Sequence, residues 1–354
     1  MRSAFQHNVL QFLVVFTACS CARPQVVLQD FPEAERIEPF ETIDTEPLEI
    51  FGPYETACYG DWMAVGDIYS DYSAYLVNLK NGRIIPCFRK GRGPNELASP
   101  SLVTFTVDSL FVFDLNTRKR LGVSVAGSIA SGEQDVVQVW SPEVSDHRWV
   151  YTRMRKIGEG DLLIAGLFTD DVWYERIGRD GKSKGSVRKI EFEESRDYPD
   201  RFKGEIFSAP VFSVSPDGSK LVCAMYNAGA FSISSLEDNG LREVFRKVYY
   251  GFDNYVSVAD DAPAVLLTDR ERLSPSFLDV DSDNQYIYLL YRGLKGNDSS
   301  IPNPHGDNLL VYDWGGQPVR RYKLSEPVGK IHKIADTLYC CRWSGASKIL
   351  KYKL

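Results

Sequence analysis

Two local strings in this chain combine residue types that could hold a ligand. In Gly91-Arg92-Gly93-Pro94-Asn95-Glu96, paired glycines free backbone amides to face an anion beside the Arg92 guanidinium, so Arg92, Asn95 and Glu96 form a candidate site for a small acidic ligand. The competing reading is structural: the glycines and Pro94 shape a chain crossing, and Arg92 pairs locally with Glu96. The string is not a Walker phosphate loop, because no Lys-Ser/Thr ending follows. Asp279, Asp281 and Asp283 recur at every second residue, as the acids of a calcium loop do. Asn284 stands where such a loop needs Gly, however, and Leu290 where it needs a bidentate acid. A polar hairpin turn is the expectation there, with calcium as the alternative and no metal ligands assigned.

After residue 18 three histidines remain, His147, His305 and His332, in separate stretches, so a three-histidine metal centre would need all of them to converge. No His-Glu-x-x-His string occurs. No catalytic residue is therefore assigned and no enzyme is announced. A hydrolase or lactonase that gathers channel acids and a divalent metal from distant stretches would leave no local string, and it stays the alternative. Trp140, Trp149, Trp173 and Tyr198 fall in stretches that read as loops, where they could stack on a ligand or anchor a partner.

The first residues read as a processing segment. Arg2 precedes an apolar run from Val9 to Phe16, too short to span a bilayer, and Thr17-Ala18 lead into Cys19. Small residues directly before a cysteine match a bacterial lipobox, so residues 1–18 are expected to be a lipoprotein signal peptide and Cys19 the lipidated residue, with Cys21 the alternative. Residues 19–36, holding Pro24 and Pro32, read as anchor and flexible tether. Five more cysteines, Cys58, Cys87, Cys223, Cys340 and Cys341, cannot all pair, and they read as buried small apolar residues.

The candidate residues must be positioned by a repeating unit. Six times the chain shows a β-type apolar run, a second run, a turn built on Gly, Asn or Asp, and a third run ending in basic residues. The second runs begin near Trp62, Leu110, Leu162, Leu221, Tyr286 and Leu338, about 48 to 65 residues apart. One such unit cannot bury both faces of its small sheet, so the units must stack. Lys80-Asn81-Gly82, Arg179-Asp180-Gly181 and Ser215-Pro216-Asp217-Gly218 are the hairpin turns that punctuate them. The sixth unit shows three strands. The segment before Phe51 is expected to supply the fourth and join the chain ends in a clasp that removes a sheet edge. Polar insertions at 193–210, 251–274 and 293–307 are expected to gather at one rim, with a short helix over 265–272.

Composition agrees with a single all-β domain over residues 37–354: 44% hydrophobic and 25% charged residues, with 19 Tyr and 19 Phe. A formal charge of −7, and no basic block longer than Arg118-Lys119-Arg120, argue against a nucleic-acid partner. Taken with the six units, the Ser-Pro-Asp-Gly turn and the Gly-Arg-Gly-Pro-x-Glu string behind a lipobox, the chain resembles the TolB-like six-bladed β-propeller family of lipoproteins from Gram-negative bacteria. That resemblance implies a six-bladed propeller closed by an N-terminal strand. It also implies an envelope location, facing the periplasm or the cell surface. Function would be a binding module for an unknown protein or small molecule at the propeller rim, with no cofactor assigned and no established catalytic activity.

Overall fold

The computed structural model describes residues 23–354 except 94, 99, 106–108, 115–119, 141–147, 158–159, 179, 194–202, 205, 238–239, 252–255, 258–266, 269–274, 295–299 and 303. Six antiparallel four-stranded sheets follow one another as blades. Blade 1 comprises Pro53–Tyr59, Trp62–Asp67, Tyr72–Asn78 and Ile84–Arg89; blade 2, Pro100–Phe105, Ser109–Asp114, Arg120–Ser124 and Asp135–Trp140. Blade 3 comprises Arg148–Ile157, Asp161–Phe168, Val172–Ile177 and Ser183–Arg188; blade 4, Val211–Val214, Lys220–Ala224, Gly229–Glu237 and Gly240–Tyr250. Blade 5 holds Phe277–Ser282, Tyr286–Tyr291, Gly306–Asp313 and Pro318–Val328, and blade 6 Lys330–Ile334, Thr337–Arg342 and Lys348–Lys353. The first strand of each blade is innermost and meets the first strands of its neighbours.

Alternation along the second strands explains the ring. Trp62 and Ala64 face blade 2 while Met63 and Val65 face blade 6; Leu221 and Cys223 face blade 3 while Val222 and Ala224 face blade 5. Both faces are buried, so these strands read as continuous apolar runs. Six core clusters are found among the described residues, one for each blade interface, including that between blades 6 and 1. Each fully buried Val, Leu or Ile in them contributes roughly 1.5–3 kcal/mol. Cys340 and Cys341, adjacent in one strand, enter different clusters, and Cys58, Cys87, Cys223, Cys340 and Cys341 are all free thiols.

The expected clasp is present. Glu41–Asp44 pairs antiparallel with Lys348–Lys353 as the fourth strand of blade 6, Glu41 opposite Lys351 and Asp44 opposite Lys348. Lys351 Nζ donates to Glu41 Oε1 at 2.8 Å, and the Phe40 amide donates to the Lys351 carbonyl at 2.9 Å. Buried Asp67 then fixes the chain as it enters blade 1, accepting from the amides of Phe51 at 2.9 Å and Gly52 at 3.0 Å.

The basic residues that end the third runs tie the blades internally. Lys90, just past the last strand of blade 1, donates to the carbonyls of Ile68 at 2.7 Å and Ser70 at 2.6 Å in the turn between strands two and three. Lys189 does the same in blade 3, to Phe168 and Asp170, both at 2.6 Å. The Ser215–Gly218 turn forms as expected: Gly218 adopts φ 73°, and its amide donates to the Ser215 carbonyl at 2.8 Å. Asp217 accepts from the Ser215 hydroxyl and the Ser219 amide, which hold its carboxyl down at about 2.

Three features differ from expectation. Residues 23–37 do not form a free tether. Helix α1 (Arg23–Gln29) buries Val27 against blades 4 and 5, and Glu35–Ile37 adds a parallel strand beside Tyr322–Leu324. The apolar spacing of Val27 and Phe31 overrides the two prolines. A second helix, α2 (Val125–Ser131), sits between strands three and four of blade 2, capped by the Ser124 side chain and ended by Gly132 at φ 83°. Leu267–Thr268 pairs with Val256–Ser257 as short strands, so the helix expected over 265–272 is absent at those two residues; its other positions lie outside the described residues.

Candidate binding site

Four of the six innermost strands carry charge where the second strands carry mainly apolar side chains. Arg153 and Arg155 come from blade 3, Asp279 and Asp281 from blade 5, and Lys330 and His332 from blade 6. Each pair is spaced by two residues and so shares one face of its strand. Glu55 of blade 1 completes the set. Glu55, Arg153, Arg155 and His332 keep partial exposure although deep in the ring, as side chains facing a central lumen would.

Blade 5 supplies the acceptors that stitch this lumen together. Asp279 accepts from Lys330 Nζ at 2.8 Å and from the Ile331 amide at 2.9 Å. Asp281 accepts through one oxygen from His332 Nδ1 at 2.9 Å and the Lys333 amide at 2.7 Å. Its other oxygen takes the Ser213 hydroxyl of blade 4 at 3.1 Å and the Ser282 amide at 2.8 Å. Arg155 Nη1 donates across to the Phe212 carbonyl of blade 4 at 3.2 Å.

The charges perturb one another across the axis. Burial, then the Asp279 charge, push the Glu55 carboxyl up to about 7 against Lys330, His332 and Arg155. Burial disfavours the protonated His332 imidazole, yet Asp281 and Glu55 outweigh it and raise its pKa. Burial opposes ionisation of Asp281 as well, but His332, the Lys333 amide and Arg155 leave its pKa lowered. Burial lowers the pKa of Arg153 against the pull of Asp279 and Glu55. Four blades thus bring three acids and four bases within mutual reach. Such a set can pair with the polar groups of a ligand, and Glu55 can give or take a proton near neutrality.

Asp279 and Asp281 present no unoccupied oxygen to a cation. Both oxygens of Asp279 and of Asp281 already accept from cationic or amide donors, which a metal ion would have to displace. Among the described residues no group of three or more His, Cys, Asp or Glu is placed to hold a metal ion. The aspartate triplet is also divided. Asp279 and Asp281 are strand residues; Asp283 alone makes the expected turn, accepting from the amides of Gln285 at 2.8 Å and Tyr286 at 2.7 Å.

The Gly91–Glu96 string lies where the chain leaves blade 1 for blade 2. Glu96 folds back so that Oε2 accepts from the Gly93 amide at 2.8 Å, and Oε1 lies 3.6 Å from Arg89 Nη1, in place of the expected Arg92 pair. A Cβ on Gly91 would come within 2.1 Å of Glu96 Oε2, so any larger residue there must displace that carboxylate. Arg92 and Asn95 remain exposed.

His305 is buried and packs at a tilt against Trp343, with ring centroids 4.8 Å apart, whereas His332 pairs with Asp281. Trp173, expected in a loop, is fully buried against Tyr174 and Phe207. Cys19, Cys21, His147, Tyr198 and the side chains of Trp140 and Trp149 lie outside the described residues. Gly181-Lys182-Ser183-Lys184-Gly185 has the spacing of a hydrolase nucleophile elbow, but it spans a hairpin and the start of an outermost strand. Ser183 is exposed and its hydroxyl accepts from the Gly185 amide at 3.3 Å.

No curated protein matches the chain in sequence. Among solved structures, a candidate exported protein from Bacteroides fragilis NCTC 9343 is similar at 11% identity and TM-score 0.51, over 86% of this chain and 91% of that one. A luciferin-regenerating enzyme is similar at 8% identity and TM-score 0.52, over 89% and 95%. A β-propeller domain from Myceliophteria thermophila is similar at 11% identity and TM-score 0.52, over 89% and 99%. At these identities the likeness is one of fold. The sequence itself matches the family described as TolB-like 6-blade propeller-like over residues 35–332, and with six blades in a closed ring the chain belongs to that family.

Proposed function

We propose that the protein is an envelope lipoprotein, anchored through Cys19 with Cys21 as the alternative, whose propeller binds a protein or small-molecule ligand where the lumen opens at a rim. The observation that carries this reading is the ring of mutually interacting charges contributed by blades 1, 3, 5 and 6. Its two aspartates are tied to bases and amides, an arrangement suited to exchanging hydrogen bonds with a polar ligand rather than to holding a hydrolytic metal. Arg92 and Asn95, exposed on the loop held by Glu96, offer further contacts at the crossing from blade 1 to blade 2. The reading assigns no resident cofactor; calcium would enter only by displacing Lys330 or His332.

Cross-linking in the native membrane, followed by purification and identification of bound species, tests it. A species retained by the wild type and lost from an Arg153→Ala, Arg155→Ala variant of unchanged blade content supports binding in the lumen. Equal retention by both would remove the lumen from the account.

A further inference from the structure

We infer that the outer edge formed by blades 4 and 5 rests on the lipid surface, so that the propeller axis lies along the membrane plane. The inference rests on the lipoprotein reading and adds an orientation to it.

It starts from how early the chain is fixed. In α1 Val27 is fully buried, and Phe31 just beyond meets Tyr312 edge-on with centroids 5.0 Å apart. Asp30 pairs with Lys247 Nζ at 2.9 Å on the outermost strand of blade 4, and burial raising its pKa is outweighed by this lysine and by Tyr249. Glu35–Ile37 then runs along the outermost strand of blade 5. Had residues 19–36 been a free tether, they would have allowed a separation of about 60 Å and any orientation. With α1 docked, four chain steps lead from Cys19 to its first residue, a reach of about 14 Å at most, or about 7 Å from Cys21. Anchoring therefore holds this edge, and no other, against the acyl boundary.

The edge has a matching surface. Val244 and Val248 on the outermost strand of blade 4 are 49% and 45% exposed, Val319 on that of blade 5 is 38% exposed, and Val26 on α1 is 37% exposed. Exposed Arg242 and Arg320 lie on the same two strands. Apolar side chains interspersed with arginines suit the interfacial layer of a bilayer, where the valines bury apolar area and the guanidiniums meet headgroup phosphates. Held by its side, the propeller leaves both rims open to a ligand.

The test uses the full lipidated chain in vesicles of phosphatidylethanolamine and phosphatidylglycerol doped with a photoreactive diazirine phospholipid. Because contact decays within the interfacial layer, cross-links on residues 23–29, 240–250 and 318–324 are expected to exceed those on Ile84–Arg89 and Asp135–Trp140 by about ten-fold. A flexible insertion of about 12 Gly/Ser residues after residue 22 leaves α1 and the fold in place and should bring that ratio close to one. The mass of the N-terminal peptide separates the two layers of argument. A lipid-bearing peptide with cross-links spread evenly, or gathered on another blade, overturns the orientation while leaving the anchor. A peptide without lipid overturns both.

Discussion

Replacing Asp281 by Asn removes one charge from the lumen with almost no change in shape. The carboxylate accepts four hydrogen bonds, from His332 Nδ1, the Lys333 amide, the Ser213 hydroxyl and the Ser282 amide. An amide keeps one accepting oxygen for His332 and Lys333 and turns its NH2 to the Ser213 hydroxyl, which can accept, and to the Ser282 amide, which cannot. The loss is one hydrogen bond to a charged group, worth roughly 1.5–3 kcal/mol. His332 is 27% exposed, and solvent screening trims this to about 2 kcal/mol. For a domain of this size that is a fall in Tm of about 4 °C. The pH dependence carries the sharper signature. His332 is raised above its ordinary 6.5, so its share of the stability is whole below that value and is lost as pH rises through the folded pKa. Asp281 is lowered below its ordinary 3.8, so its share is whole above that value and is lost as pH falls through the folded pKa. The gap between wild type and variant, from urea unfolding across pH, should be widest between those two ordinary values and narrow on either side. The His332 imidazole signal should titrate at lower pH in the variant. A variant as stable as wild type at pH 6, or an unmoved His332 titration, would refute the pairing.

Other expectations follow from the same structure. Gly91→Ala must push Glu96 off the Gly93 amide, destabilising by about 1–2 kcal/mol, and in a double-mutant cycle with Glu96→Ala most of that loss should vanish. Deleting residues up to 49 strips the fourth strand from blade 6, so a lowered unfolding transition and concentration-dependent association on gel filtration are expected from the bare Lys348–Lys353 edge. Burial, with Arg342 nearby, lowers the His305 pKa to about 4. Its unfolded form binds the proton first, so stability should fall between about pH 6.5 and 4, and His305→Phe should flatten that slope in urea unfolding curves.

The blades were legible because each second strand is buried on both faces and carries its apolar residues without interruption, as Trp62 to Val65 and Leu221 to Ala224 do. Turn chemistry marked the hairpins at Gly82 and Gly218, and the shortfall of a strand in the last unit pointed to the clasp. The docking of α1 was hidden because Val27 and Phe31 are two apolar residues among prolines and polar side chains, and their pocket exists only once blades 4 and 5 have packed. Trp173 was misplaced for a related reason: its cover includes Phe207, which lies within the polar insertion at 193–210. The lumen left a weak trace. Arg153 with Arg155, Asp279 with Asp281 and Lys330 with His332 each show the two-residue period of a strand face, but they lie in separate units. Ring closure alone brings them together.

Native mass spectrometry of the protein released from its own membrane tests the central claim most directly. The account predicts a mature, lipid-bearing chain that carries a bound species, and loss of that species when Arg153 and Arg155 are both replaced by Ala. A bare chain that hydrolyses an ester or lactone only when a divalent metal is added would contradict it.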